Sequence, residues 1–467
     1  MRVIALVAAT FLAGAVSCRF PELPPLDELD GGADAAPVAC VDTGPDTPDP
    51  TCPADRPLCV DGTCGGQCAS DPDCSGRPPS ESVCHGASGA CVACDEDDVQ
   101  AQPGTNEDDC SNPTSAVCDS VTHTCRACAE HSECFSGVCD AGVCVEQANV
   151  IYLTPVAGGG TDGGINDCLT PSTGCVTLHH AIGRLTATRK YILFKASATP
   201  YPARNNTDRA DFNGVTAHVI GYGAEVNRNG AGLIIEIRGG ANVTIEGLTI
   251  ANAGGTSGTG ILVVDSRLEL RKATVRDNGN FGLEAISNSS LHISQSRFTN
   301  NEGGAIRVDS TQFVIVNNII AGNGDVNNST VGGVSLYSLA ANNVFEFNTV
   351  AANAAAGTNS DGVDCTSPLV ARNNIIVGSA GGTHVRGNCN YVNTLFGPDN
   401  GVAGTGNMTV SDLATFMFAA DFHIGAGSVA AGKADSTGLA EATLVDIDGD
   451  ARTPNGSTVD VGADEIP

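Results

Sequence analysis

The sequence has no tryptophan, few other aromatic residues and few basic residues. Its 23 lysines and arginines face 53 aspartates and glutamates, which gives a formal net charge of -30. A chain this acidic lacks the basic surface that nucleic-acid phosphates or anionic lipids require, so we exclude both as electrostatic partners. Only 16% of the residues are charged and 57 are glycine, a composition that excludes a coiled coil or a long helical bundle.

Cysteine, by contrast, is abundant, with 21 residues, which is unusual for a protein of a reducing compartment. The first 17 residues have the order of a secretory signal: Arg2, an uncharged apolar run from Val3 to Val16, and small residues before Cys18. The run is shorter than the roughly 20 residues that a membrane span needs. We therefore predict a signal peptide over 1–17 and an exported protein.

Cys18 follows the predicted cleavage site and resembles the lipidated cysteine of a bacterial lipobox. The odd number of cysteines is consistent with lipidation of Cys18, because removing one cysteine from 21 leaves twenty, which can all form disulfides. Arg19 is not the aspartate that marks inner-membrane retention, so the resemblance implies an outer-membrane or cell-surface lipoprotein that meets the membrane only through its lipid. The alternative is cleavage after Ser17 and secretion. The acidic, proline-rich residues 18–39 are typical of a disordered linker.

Sixteen cysteines lie in residues 40–146 and form four groups of four with similar internal spacing. The groups are Cys40, Cys52, Cys59, Cys64; Cys68, Cys74, Cys84, Cys91; Cys94, Cys110, Cys118, Cys125; and Cys128, Cys134, Cys139, Cys144. Each module has too few large apolar residues for a core, so crosslinks must replace burial. We predict two disulfides per module, and four cysteines allow three pairings.

Zinc is the alternative for these cysteines, because Cys91 with Cys94 and Cys125 with Cys128 have the spacing of metal ligands. A signal peptide and complete parity favour disulfides. The pattern resembles the cysteine-rich repeats of myxobacterial surface proteins and, more loosely, EB-type or Dickkopf-like modules. That resemblance implies no particular chemistry.

The region 147–467 contains a recurring phrase, seen in VTIEGLTIAN, LHISQSRFTNN and FVIVNNIIAGN, with a period of 22 to 30 residues. Alternating apolar residues indicate strands with one buried face, and about three short strands per repeat indicate one coil of a parallel β-helix. Equivalent residues then stack about 4.8 Å apart. Recurrent asparagines are predicted to form turn ladders, namely Asn318, Asn348, Asn374 and Asn278, Asn301, Asn323, Asn353.

Both ends of the repeat region carry recognisable segments. Thr177–Leu185 has one apolar helical face and is predicted to cap the N-terminal end. The segment GGTDGGINDCLTPSTGCVTLHHAI resembles the start of right-handed parallel β-helix proteins of the pectate-lyase-like superfamily, and DIDGDARTPNGSTVDVGADE resembles the last segment of bacterial surface β-helix proteins. The resemblance implies an all-β, right-handed parallel β-helix with a closing segment. The superfamily includes lyases, hydrolases, epimerases and inert adhesins, so it does not identify an activity.

The remaining four cysteines fit two local disulfides. We predict Cys168 with Cys175 in the loop that precedes the cap, and Cys365 with Cys389 across a loop of one coil.

Outer-face carboxylates are the candidate catalytic residues. Alignment on Gly260, Gly282 and Gly304 places Asp265, Ser287 and Asp309 at one offset, pointing outward if Val264, Ile286 and Val308 point inward. Asp265 and Asp309 would lie two coils, about 10 Å, apart, a separation that suits an inverting carboxylate pair. Arg307 would share this face. The alternative is that these residues only end a strand where solvent begins.

Asp446, Asp448 and Asp450 form a candidate cation loop. An EF-hand would have glycine at the sixth and glutamate at the twelfth position, where this chain has Ala451 and Ser457. The family resemblance implies a structural segment in which Arg452 pairs with a nearby aspartate. A structural Ca²⁺ is the alternative, and we expect no other cofactor.

We therefore expect a cell-surface or secreted β-helix protein that acts as a non-enzymatic scaffold, binding a glycan or another cell-surface partner. The alternative is a polysaccharide lyase or glycoside hydrolase that uses outer-face carboxylates.

Overall fold

The computed structural model describes residues 121–466 apart from 205–208, 367–368, 379–382, 399–401, 438, 440–442 and 453–457, and short stretches between residues 47 and 119. The predicted signal peptide, Cys18 and the predicted linker lie outside the described residues. The chain divides into two compact units, Met1–Cys110 with Cys118–Cys125, and Ser111–Val117 with Arg126–Pro467. The domain boundary predicted at residue 147 runs through the second unit.

Short antiparallel hairpins and disulfides build the cysteine modules. The strands are β1 (Thr47–Pro48), β2 (Leu58–Val60), β3 (Thr63–Gly66), β4 (Val83–His85), β5 (Ala90–Val92), β6 (Val117–Asp119), β7 (Thr124–Arg126), β8 (Cys139–Asp140) and β9 (Val143–Cys144). The described disulfides are Cys52–Cys64, Cys74–Cys91, Cys94–Cys118, Cys110–Cys125, Cys128–Cys139 and Cys134–Cys144. In the last two modules the first cysteine therefore pairs with the third, and the second cysteine pairs with the fourth.

The hairpins explain this pairing. In the fourth module the third and fourth cysteines, Cys139 and Cys144, face each other across β8 and β9. Each is bonded to a cysteine earlier in the module. Two crosslinks thus hold a hairpin against its preceding loop, which restricts the unfolded chain of a unit that has almost no apolar core.

Three parallel sheets form the rest of the second unit, and among the described residues eight successive coils contribute one strand to each sheet. Sheet 1 has β10 (Val150–Leu153), β11 (Tyr191–Phe194), β14 (Thr216–Ile220), β17 (Asn242–Glu246), β20 (Arg267–Arg271), β23 (Ser290–Ser294), β26 (Gln312–Val316), β29 (Val344–Glu346), β32 (Val370–Arg372) and β35 (Asn390–Val392).

Sheet 2 has β12 (Tyr201–Pro202), β15 (Glu225–Ala231), β18 (Thr249–Gly254), β21 (Thr274–Arg276), β24 (Arg297–Thr299), β27 (Ile319–Ala321), β30 (Thr349–Ala351), β33 (Ile375–Val377), β36 (Leu395–Phe396) and β37 (Met408–Thr409). Sheet 3 has β13 (Ala210–Asn213), β16 (Ile235–Arg238), β19 (Ile261–Val264), β22 (Phe281–Ile286), β25 (Gly304–Asp309), β28 (Val334–Tyr337), β31 (Ser360–Cys365) and β34 (Thr383–Gly387). The predicted parallel β-helix is confirmed.

Alternation along each strand places apolar side chains in the core of the solenoid. In sheet 1, for example, Val243, Leu268, Leu291 and Phe313 are register partners in four successive coils, and all four are buried. Each side chain therefore stacks on its equivalent in the neighbouring coil. The core is a continuous column of such stacks.

Among the residues that the structure describes, helices are few and short. The helix α1 (Leu178–Ile182) begins after Thr177, whose side chain accepts a hydrogen bond from the backbone N–H of His180, and it buries Leu178, Ala181 and Ile182. The 3-10 helices are Pro113–Ser115, His131–Glu133, Gln147–Asn149, Val156–Gly158 and Leu413–Phe416. No helix among the described residues has the length and apolar character that a membrane crossing requires. Cys168 pairs with Cys175, and Cys365 pairs with Cys389.

The closing segment, residues 411–466, folds back along the outer face of sheet 2. Its Phe416, Ile424 and Val461 pack against outward-facing residues such as Ile375. Strands β27, β30 and β33 are consequently buried on both faces, whereas β21 and β24 are not. The closing segment approaches sheet 2 so closely that a Cβ on Gly462, which has φ of 102°, would lie 2.6 Å from the Ile375 side chain.

The buried side chain of Arg452 holds the closing segment together. Its guanidinium is buried, lies 4.5 Å from the centre of the Phe347 ring, and donates to the carbonyls of Asp460 and Gly462. Its ion-pair partner is Glu465, at 2.9 Å, and not an aspartate as we predicted. The Asp460 carboxylate instead accepts the backbone N–H groups of Gly432 and Ile466.

Buried asparagine ladders link the coils at the corners. The Nδ2 atoms of Asn278, Asn301 and Asn323 each donate to the Oδ1 atom of the asparagine in the next coil, at 2.8, 2.8 and 2.9 Å. A second ladder joins Asn318, Asn348 and Asn374 at 3.0 and 3.2 Å. The same oxygens accept backbone N–H groups that would otherwise be buried without a partner, such as that of Ser296.

Replacing Asn318 with alanine should lower the free energy of unfolding by about 2 kcal/mol. The change leaves the buried Ser296 N–H unpaired and breaks the ladder. Chemical denaturation measures the loss. Asn242→Ala, at an exposed strand position, is the control and should stay within about 0.5 kcal/mol of the parent. Equal effects of the two substitutions would contradict a stabilising ladder.

Candidate functional site

The predicted catalytic offset is wrong by one residue in its third coil. Register in sheet 3 aligns Val263 with Ala285 and then Val308, and these three residues are buried. Val264 and Ile286 are partly exposed and lie on the outer face instead. The error comes from aligning the repeats on their glycines. Gly304 pairs in register with Phe281 and not with Gly282.

Asp265 and Asp309 therefore do not stack. Asp265 is exposed and lies in the corner after sheet 3 with φ of 47°. Ser287 and Ser310 have the same left-handed conformation, whereas Asp309 is the last residue of β25 and accepts a hydrogen bond from the Ser310 hydroxyl at 3.0 Å. The two carboxylates belong to different columns of the solenoid.

Arg307 lies on the outer face of sheet 3, as predicted, but as the partner of a carboxylate. Its Nη1 atom is 3.0 Å from Oε1 of Glu284, which is its register neighbour in the preceding coil. The same column contains the pair Asp364–Arg386. Outer-face carboxylates of this column thus form ion pairs between adjacent coils.

The three aspartates of the predicted cation loop have separate roles. Asp446 is fully buried, and its Oδ1 atom accepts the backbone N–H groups of Asp448, Gly449 and Asp450 at 2.8–2.9 Å. Its Oδ2 atom accepts the N–H of Glu465. Asp446 therefore organises the turn, while Asp448 reaches towards another part of the closing segment and Asp450 is exposed.

The fourth cysteine module lies on the outer face of sheet 1. Val138 of the module is buried against Tyr152 and Tyr191, and the Tyr152 hydroxyl donates to the Ser136 carbonyl at 3.0 Å. Gly137 has φ of 73°, and a Cβ there would lie 2.7 Å from Leu193. Glycine is thus required at this contact, which brings the module's backbone close to the sheet.

A cleft of about 780 Å³ opens between this module and sheet 1. The module contributes Glu130, His131 and Ser132, and the solenoid contributes Tyr222, Glu246, Arg271, Lys272 and Gln295. A concave space of this size with a few convergent polar groups is typical of a ligand site.

Glu246 is the centre of the polar wall of the cleft. Its carboxylate is 9% exposed and accepts hydrogen bonds from the Tyr222 hydroxyl at 2.5 Å and from Nε of Arg271 at 2.7 Å. The Nε2 atoms of His218 and His131 lie 3.4 and 3.7 Å from its oxygens. Arg271 is the register partner of Glu246 in the next coil, so the stacking itself supplies the charge partner.

These contacts fix the protonation states in the cleft. Burial alone would favour the neutral acid, but the adjacent His131 and His218 imidazoles, the hydrogen bond from Tyr222 and the charge of Arg271 outweigh it and hold the pKa of Glu246 well below its usual range. Burial and the neighbouring carboxylate raise the pKa of Tyr222. Glu246 is therefore an ionised acceptor at neutral pH, and Tyr222 keeps its proton.

Sequence reasoning missed this site. Its residues come from the fourth cysteine module and from four different coils, and no motif links them. One signal was present: Glu246 and Arg271 end equivalent repeats, VTIEG and LELRK, at an outward-facing offset. Opposite charges at equivalent positions of successive coils indicate an ion pair between coils.

Comparison with known proteins supports the fold. A family model described as right handed beta helix region matches residues 233–400. No curated protein matches the chain. The family match supports a right-handed parallel β-helix over residues 233–400.

Two solved structures are similar at low identity. The complex structure of XylC with xylose is 11% identical with a TM-score of 0.30, and the match covers 47% of this chain and 52% of that one. The crystal structure of pectate lyase Pel9A is 14% identical with a TM-score of 0.39, and the match covers 72% of this chain and 99% of that one. The chain thus spans about half the length of the first structure.

Replacing Glu246 with glutamine should lower the free energy of unfolding by about 2 kcal/mol at pH 7, because the buried carboxylate that accepts hydrogen bonds from Tyr222 and Arg271 loses its charge. The native pKa is depressed, so the stabilisation is complete above the unfolded-state pKa of about 4.3 and is lost as the pH falls below it. Urea unfolding at pH 7 and pH 3 should show the difference shrinking. Glu269→Gln, with a partly exposed carboxylate 3.8 Å from the same arginine, should cost less than about 1 kcal/mol. A loss that does not depend on pH would contradict this account.

Proposed function

We propose that this protein is a non-enzymatic surface protein that binds a carbohydrate chain in the cleft between its fourth cysteine module and sheet 1. The cleft offers the groups that a polyhydroxylated ligand needs: charged hydrogen-bonding side chains from Arg271, Lys272 and Glu130, an amide from Gln295, and an aromatic ring. That ring belongs to Tyr222, which is 44% exposed although its hydroxyl is bonded to Glu246. An exposed ring face held in place by its own hydroxyl provides a rigid apolar contact.

The carboxylate of Glu246 already accepts hydrogen bonds from Tyr222 and Arg271. This observation favours binding over catalysis. A glycoside hydrolase needs one protonated carboxyl group as acid and a second carboxylate as base or nucleophile. Glu246 is ionised and bonded to Tyr222 and Arg271, so it has no proton to donate. Among the described residues, the carboxylates of the sheet 3 column are likewise held by arginines. These pairs are suited to hold a surface rigid.

The solenoid also suits display. The cleft lies on sheet 1 of an eight-coil solenoid, and the cysteine modules precede that solenoid in the chain. Export and lipid attachment at Cys18 belong to this proposal. The disulfides of the described modules favour an oxidising compartment outside the cytoplasm.

The binding proposal predicts that the purified full chain will co-sediment with at least one member of a panel of insoluble polysaccharides. Tyr222→Ala should weaken that binding at least tenfold, because it removes the ring face. Tyr337→Ala is the matched control: Tyr337 is 36% exposed and is bonded to a carboxylate, Asp364, on sheet 3. Its loss should leave binding unchanged.

Two results would contradict the binding proposal. Binding that survives Tyr222→Ala would place the ligand outside the cleft. New reducing ends or unsaturated products after incubation of the parent chain with the panel would establish the enzyme alternative.

If a lipid on Cys18 anchors the protein, Cys18→Ser should move it from the membrane fraction to the soluble fraction of its host, because no acyl chain can be attached. Ser17→Ala keeps the cysteine and should remain membrane-bound. Fractionation followed by immunoblotting measures both. Unchanged membrane association of Cys18→Ser would show that lipid on this cysteine is not the anchor.

A further inference from the structure

The closing segment brings an imidazole and three carboxylates together. Nε2 of His423 lies 2.7 Å from Oδ2 of Asp448, and Nδ1 lies 2.9 Å from Oδ2 of Asp421. One ligand atom each from His423, Asp448 and Asp464 lies within 4.8 Å of the other two. These three residues come from separate stretches of the closing segment, so the cluster joins parts of the chain that have little regular structure of their own.

The surroundings orient the cluster as a metal site requires. Nδ1–H of His423 donates to Asp421, which directs the Nε2 lone pair towards Asp448 and Asp464. Histidine ligands of metal ions commonly have such a carboxylate behind them. Asp464 is 7% exposed, its Oδ2 atom accepts the backbone N–H of Ile424 at 2.8 Å, and its other oxygen has no hydrogen-bond partner among the described residues.

The cluster also has an excess of negative charge. Three carboxylates face one guanidinium, that of Arg297, whose Nη2 atom is 3.1 Å from Nε2 of His423 and 3.9 Å from Oδ1 of Asp448. A nitrogen lone pair and a carboxylate oxygen 2.7 Å apart repel each other unless a proton or a cation lies between them. Arg297 is 27% exposed and also donates to the Asp421 carbonyl at 3.1 Å, so its side chain would have to turn towards solvent to admit a metal ion.

We propose that His423, Asp448 and Asp464 bind one divalent transition-metal ion, with Zn²⁺ the preferred ion. One imidazole and two carboxylates form a three-residue zinc set with a fourth position for water. The imidazole nitrogen disfavours Ca²⁺ and Mg²⁺, which take oxygen ligands. The ion crosslinks three stretches of the closing segment and thereby stabilises its contact with sheet 2. This site differs from the predicted Asp446, Asp448 and Asp450 loop, with which it shares only Asp448.

Titration of the metal-free full chain tests the site. After dialysis against a chelator, Zn²⁺ should bind with one more site per chain in the parent than in His423→Ala or Asp448→Asn, by isothermal titration calorimetry. Co²⁺ should give the visible absorption of a tetrahedral site in the parent and lose it in both variants. Saturating Zn²⁺ should raise the thermal midpoint of the parent by about 2 °C or more, and an excess of Ca²⁺ or Mg²⁺ should not compete.

Asp450→Asn is the matched control, because its carboxylate is exposed in the same loop as Asp448 and is not part of the cluster. It should bind Zn²⁺ as the parent does. Asp448 is 52% exposed, so Asp448→Asn should fold normally, and circular dichroism checks this. Equal zinc stoichiometry in the parent and both ligand variants, or equal loss in Asp450→Asn, would overturn the proposal.

Discussion

The structure depends on the stacking of equivalent residues in successive coils. In a parallel solenoid every strand bonds to the coils above and below, so the corners must also place their backbone groups on partners one coil away. The buried asparagines meet this requirement. Asn323, for instance, accepts both the N–H and the side-chain amide of Asn301, and its own amide donates to the carbonyls of Phe298 and Ala321. One residue type thereby links successive coils at two corners, the one between sheets 1 and 2 and the one between sheets 2 and 3.

Stacking also determines the electrostatics of the outer faces. Because register partners lie one coil apart, a carboxylate and an arginine at equivalent positions necessarily meet, as Glu246 does with Arg271 and Glu346 with Arg372. The chain has few basic residues, and many of its arginines are used in such pairs. A strongly acidic protein can therefore present a rigid surface whose carboxylates do not repel one another across coils. The cost is that these carboxylates are no longer available as acids or nucleophiles.

The repeat phrases predict the strands and both asparagine ladders, and the four cysteines outside the modules predict the two local disulfides, because each of these features depends on residues close in sequence or at equivalent offsets. The register between strands of successive coils was harder to predict. Gly282 and Gly304 look equivalent, but the inward apolar residues decide the alignment and shift Gly304 by one position. The buried outer face of sheet 2 could not be read from its strands either. Ile319 and Ile375 face outward and are covered by residues of the closing segment such as Ile447 and Val461. These partners lie far away in the sequence, so the strand pattern gives no sign of them.

The cleft and the histidine cluster share a physical origin that explains why neither was predicted. A solenoid of similar coils has flat faces, since whatever one coil presents, the next presents again, and a flat face has no concave site. Concavity arises only where a segment that does not repeat lies on a sheet. The fourth cysteine module does so on sheet 1 through Val138 and Tyr152, and the closing segment does so on sheet 2 through Val461 and Ile375. Specific chemistry in this molecule is therefore expected where irregular chain meets regular sheet, and changes to the repeats themselves should act mainly on stability.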